Sequence, residues 1–286
     1  MKTALAPAIN FQAAPAALLK RPTWLRIIHG CQPALAWAGW LHVALLAAAL
    51  VLWPLDERTI TGLNVWVKPI KFSIAGVVYL WSLAWLLADL PAQVQRSARR
   101  IGRLVGVALA IEISCVYLQA ARGTTSHFNI SSWFDAIVFQ LMGVFILINT
   151  VAIVWAIWLM FRHRPHGSSA WVWGMRLGLI LFLVGSAVGG SMSARMAHTV
   201  GAADGGAGLP LLGWSTRHGD LRAAHFLGLH ALQAIPLVGW LITRYLPQLR
   251  PGAQALGVVL FAALYTGAVA WLYWHAVQGL PLVSLP

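Results

Sequence analysis

The chain has 286 residues, 59% hydrophobic and only 9% charged, which excludes an ordinary soluble domain, where about a quarter of residues carry charge. Its formal net charge of +13 would suit nucleic acid, but the basic residues sit in short segments between long apolar runs, so nucleic acid is set aside as a partner. Mean hydropathy is +0.74, and runs of about twenty apolar residues recur, each long enough to cross a bilayer as a helix.

The expected fold class is therefore all-α: a polytopic integral membrane protein built as a seven-transmembrane-helix bundle. The runs are too long and too evenly apolar for barrel strands, which would alternate. In chain order, residues 1–33 read as a cytoplasmic N-terminal segment without a signal-peptide pattern, and 22–31 suits an interfacial stretch. Seven spans follow at 34–54, 69–90, 101–121, 134–161, 171–193, 221–243 and 255–278, forming one transmembrane domain over 34–278. Residues 279–286 are a short outer tail.

Lysine and arginine set the expected orientation. Lys2, Lys20, Arg21, Arg26, Arg96, Arg99, Arg100, Arg103, Arg162, Arg164, Arg176, Arg244 and Arg250 fall on one side, which is the cytoplasmic one. The N-terminus is then cytoplasmic and the C-terminus outside. The alanine-, arginine- and tryptophan-rich usage suggests a bacterium, hence a multi-pass protein of the inner membrane. Cys31 and Cys115 show no CxxC spacing, so neither a disulfide framework nor a zinc site is indicated. The 255–278 span has no lysine, which excludes a retinal-type Schiff base.

Outer segments differ from the simply basic inner ones. They mix charge, histidine, glycine and hydroxyls, and 194–220 is the longest, with a glycine-rich stretch at 201–208. Within the spans, Gly185, Gly189 and Ser193 make a small-residue stripe for close helix packing. Ser132 with Asp135, and Asp220, read as helix N-caps. Pro236 is expected to kink its span.

Depth locates the chemistry. Glu112 is an acid placed deep in a span, and Glu112, Cys115, Gln119 and Arg122 fall within an arc of about 80° on one helix face. His225, His230 and Gln233 lie within the 221–243 span, which Asp220 and Arg222 open. Ionisable groups at such depth are costly and usually functional. The two polar stripes are expected to face each other, with Glu112, His225 and His230 as catalytic groups and Gln119, Gln233 and Asp220 in support. His225 and His230 stand about 140° apart around the helix, so they do not share one ligand. Each is expected to meet a partner on another helix: His42, His198, His275 or Glu112. Lys68, Lys71, Arg122, Arg195 and Arg222 run against the positive-inside trend and suit an anion.

Three functions fit this pattern. The first is a membrane oxidoreductase using haem b or a divalent metal, with His225, His230, His198 and His127 as candidate ligands. The alternatives are an outer-leaflet enzyme acting on a lipid or isoprenoid phosphate, and a proton-coupled transporter or sensor. Membrane lipid and an anionic small molecule are the expected partners.

Overall fold

A computed structural model of the protein describes residues 23–283. The expectations for residues 1–22 and 284–286 lie outside the described residues. Seven helices are long and apolar enough to cross a membrane, so the chain is a multi-pass membrane protein with an all-α fold. They are α2 (Pro33–Leu52), α3 (Val67–Ala88), α4 (Gln95–Ala121), α5 (Trp133–Arg162), α6 (Ser169–Arg195), α7 (Leu221–Tyr245) and α8 (Pro251–Val277), preceded by a short α1 (Thr23–Cys31). Only helices close every backbone hydrogen bond within a single lipid-embedded segment.

The ends follow local chemistry. Pro33 and Pro251 open α2 and α8, where a missing N–H is harmless. Ser132 accepts from the Asp135 backbone, Ser168 from that of Trp171, and Asp220 from that of Arg222. α4 starts at Gln95, six residues before the 101 expected. Its basic first turns are solvated helix, invisible to a search for apolar runs. α7 runs unbroken through Pro236, whose ring packs beside Gly174 and Gly178 of α6. In α1, Ile28 is buried and Leu25 packs against the core, so one face of this stretch docks on the bundle.

The α6–α7 pair is the most extensive helix contact. Glycines on α6 allow it: Gly185 of the expected stripe meets the Gly228 backbone, and Gly178, outside that stripe, meets the Ala231 carbonyl. Gly189 lies under the His225 ring, whereas Ser193 is exposed and outside the seam. A compact core fills one half of the bundle, made by Leu80, Leu83 and Leu87 of α3, Ile101 and Val105 of α4, Ile153 and Met160 of α5, and Met175 and Leu179 of α6. The other end carries two-residue antiparallel ladders: β1 (Thr59–Ile60) with β2 (Leu63–Asn64), and β3 (Thr199–Val200) with β4 (Gly219–Asp220). In the first, Asp56 accepts from Arg58 and Trp66, and Arg58 also donates to the Ala121 carbonyl, tying the hairpin to the end of α4.

At the core end, Asp89 closes α3 and is 3% exposed. Its carboxylate accepts from the Trp171 indole at 2.6 Å. Burial pushes Asp89 up from 3.8 to about 6, against the opposing pull of that hydrogen bond. The folded protein thus keeps a proton that the unfolded chain releases, so this carboxyl withdraws stability as pH rises from about 4 to about 6, and no more above that. Two pKa units correspond to about 3 kcal/mol. Thermal midpoints in detergent between pH 4 and 7 should show wild type losing stability relative to Asp89→Asn as pH rises. A constant difference would refute the assignment.

Candidate functional site

The site lies at the end opposite the core and is assembled from two loops and three helices. Its centre is His127, carried by loop 122–132, which folds back into the bundle. Lys68, in the first turn of α3, approaches His127 Nδ1 at 3.1 Å, and Ser126 Oγ lies at the same distance. On the other side, His127 Nε2 is 3.5 Å from Glu112 Oε1. Phe72 packs edge-on to the imidazole at 5.5 Å, and the Lys68 ammonium also sits over the Phe72 ring. Glu112 is 4% exposed, and its Oε2 is buried without a hydrogen-bond partner.

The order of donors fixes the protons. An ammonium on Lys68 can only donate, so His127 Nδ1 accepts and its Nε2 carries the hydrogen toward the Glu112 carboxylate. Burial, then the charge of Lys68, holds the His127 imidazole well below its usual value and therefore neutral. Lys68, His127 and Glu112 form one acid–base chain. It ends about 15 Å below the loop end of α4, ten residues from Arg122. Beneath it the apolar core begins.

His225 and His198 flank this chain. His225 Nδ1 donates to the Gly185 carbonyl at 2.8 Å, which leaves Nε2 as a lone-pair base. The glycine seam makes this bond available by bringing α6 against the ring. His198 Nδ1 lies 3.1 Å from Asp204, whose carboxylate also accepts from the backbone of His198 and Thr199. Burial, then nearby Arg222, lowers the His198 imidazole, and Asp204 opposes this. Arg222 is bound to Asp220 and to the Gly213 carbonyl, while Asp220 also accepts from the Ser215 backbone. Lys71 makes its hydrogen bond to the Leu212 carbonyl at 3.0 Å, and among the described residues it has no carboxylate within ion-pair distance. Above lies a cleft lined by Thr199, Ser215, Arg217, His218 and Arg222, roofed by the glycine-rich loop.

Several expected members lie elsewhere. α4 packs on α2, α3 and α5, and α7 on α6 and α8, so the two polar stripes do not face each other; α3 touches both. The α4 stripe divides. Glu112 turns to His127, whereas Gln119 and Arg122 bind Asp135 of α5, and Arg122 also lies over Phe134. Gln119 and Arg122 therefore serve the α4–α5 contact, where Arg122 is already neutralised. Arg195 is exposed and has no partner among the described residues. The His230 ring rests on Phe226, one turn back on its own helix, with centroids 4.3 Å apart. Gln233 Oε1 is buried without a partner. His42 bonds to the Ala38 carbonyl and packs on Gly76, and His275 lies against Trp271; both are packing residues.

The donor set does not converge as a metal centre would. Among the described residues no group of three His, Cys, Asp or Glu is disposed to hold a metal ion. His127 is engaged on both nitrogens, and the Lys68 ammonium beside it disfavours another cation. Two residues absent from the expected site belong to it: Ser126 and Asp204. Asp204 was readable as the one acid inside a glycine-rich stretch six residues from a histidine; Ser126 had no signal beyond its neighbour. Comparison with known families, with characterised proteins and with solved structures finds no match to this chain.

Proposed function

We propose that this membrane protein carries out acid–base chemistry on an anionic substrate admitted from the loop side of the bundle. The carrying observation is the Lys68–His127–Glu112 chain, which runs inward from the loops and stops above an apolar core. A chain that ends there suits a site better than a through-going proton path, so an enzyme reading is favoured over a transporter. Lys71, bound only to the Leu212 carbonyl, is a cation available to an anion, and the cleft lined by the adjoining Gly213 with Arg217, His218 and Arg222 is taken as its entrance. His225 Nε2 acts as the base. His127 moves a proton between Lys68 and Glu112, delivering it at Nε2. A phosphate-bearing amphiphile of the outer leaflet fits both the anion site and the lipid setting. The side assignment rests on the basic segments, and the reading of a bacterial inner membrane on the alanine-, arginine- and tryptophan-rich composition.

Inorganic phosphate is the probe. Calorimetric titration of the purified protein, in two buffers of different ionisation enthalpy, should detect phosphate binding coupled to proton exchange. Lys71→Met should weaken it about tenfold, by removing one charge-assisted contact. Glu112→Gln should abolish the coupled proton, and Arg195→Ala should change nothing. Binding that ignores Lys71→Met would dispose of the proposal.

A haem- or divalent-metal oxidoreductase is the second reading. It is favoured by the way His225 and His198 engage Nδ1 with a carbonyl and a carboxylate, the outer-shell pattern of metal-ligating histidines. A colourless purified protein without stoichiometric metal by elemental analysis would remove it.

A further inference from the structure

A second cavity lies at the core end of the bundle, between the early turns of α4 and the late turns of α5. It is about 470 Å³ in volume, walled by Leu104, Val107, Phe145, Ile148 and Trp155, with Arg100 and Arg103 also lining it. Leu104 is 42% and Val107 55% exposed, on a surface that faces lipid.

The arginines set this groove apart. Arg100 and Arg103 are three residues apart, on one helix face. Neither has a hydrogen-bond or carboxylate partner among the described residues, and both are exposed. Of the nearby cations, Arg99 bonds to the Gly30 and Cys31 carbonyls, and Arg176 to the Met160 carbonyl while lying over Phe161 and Trp173. Two free guanidinium groups above an apolar slot match a phosphate joined to an acyl chain. Trp155 supplies the amphipathic ring that favours the depth where headgroup meets tail.

We propose that this groove is a binding site for one anionic phospholipid, with an acyl chain along Leu104, Val107, Phe145 and Ile148 and the phosphate between Arg100 and Arg103. A zwitterionic lipid would bring its own ammonium against two guanidinium groups and is disfavoured. The site is separate from the acid–base chain and does not depend on the function proposed for it.

Native mass spectrometry of delipidated protein in micelles, titrated with dioleoyl phosphatidylglycerol or dioleoyl phosphatidylcholine, tests this. Wild type should retain one phosphatidylglycerol with a preference of about tenfold or more, from two basic contacts. Arg100→Gln/Arg103→Gln should erase that preference. Val107→Trp, which fills the slot and leaves both charges, should lower retention of either lipid. All positions are exposed, and an unchanged thermal midpoint confirms that the variants fold. Equal retention of the two lipids by wild type, or a preference surviving the double substitution, overturns the proposal. So does displacement of the lipid by millimolar inorganic phosphate, the mark of a bare anion site. A wild-type dimer that the double variant dissociates would make the groove a subunit contact and overturn it equally.

Discussion

Lys68→Met should destabilise the folded protein by about 3 kcal/mol at neutral pH, because it leaves a buried carboxylate without its cation. Lys68 is held between the His127 ring and the Phe72 face, and Glu112 sits beyond the imidazole with one oxygen already unpartnered. Glu112→Gln should cost a comparable amount by the converse route. It removes the negative charge beyond the imidazole and leaves only a neutral amide facing His127 Nε2. Because the three residues act as one chain, the losses should not add. The double variant Lys68→Met/Glu112→Gln should be more stable than the sum of the singles predicts, by at least about 1 kcal/mol. Equilibrium unfolding in mixed micelles measures all four species. Strict additivity would mean that His127 does not join the two ends.

The second large effect lies in the α6–α7 seam. A Cβ on Gly185 would fall 2.5 Å from the Gly228 carbonyl carbon, and neither backbone can yield without parting the helices. Gly185→Ala should therefore destabilise by about 2–3 kcal/mol, the range of overpacking in a tight core. It should also disturb the site, since the Gly185 carbonyl holds His225 Nδ1. Gly190 is the control in the same helix. It is exposed, with nothing within 4 Å of a Cβ placed there. Gly190→Ala should be neutral or stabilise by up to about 1 kcal/mol through helix propensity. The two substitutions are chemically identical, yet Gly185→Ala should lower the thermal midpoint while Gly190→Ala leaves it unchanged or raises it; a comparable loss in both would remove the seam as the cause.

The spans were legible because lipid imposes one rule on every residue of a helix. Boundaries failed where that rule stops, as in the basic first turns of α4. The caps at Ser132 and Asp220 were readable because a cap is local. The site was half readable. Lys68, Lys71, His127, His198, Glu112, Arg222 and His225 were all candidates, and the fold brings them to one end. What the sequence could not give was pairing. Helical angles place Glu112 and Arg122 on one stripe, yet the first meets a loop histidine and the second an aspartate of α5. That choice depends on how far loop 122–132 folds inward, which no periodicity records. His230, a candidate by its depth, has its ring against Phe226 of its own helix.

The apolar core beneath Glu112 also has an electrical consequence. A membrane voltage drops mainly across the layer that polarises least, and here that layer is the packed half from Leu80 to Met160 and Leu179. The half holding Lys68, His127 and Glu112 then stays near the potential of the compartment its loops face. A proton passing from the loops to Glu112 crosses only a small share of the field. On the function proposed above, the protons reaching Glu112 are then exchanged with the compartment on the loop side.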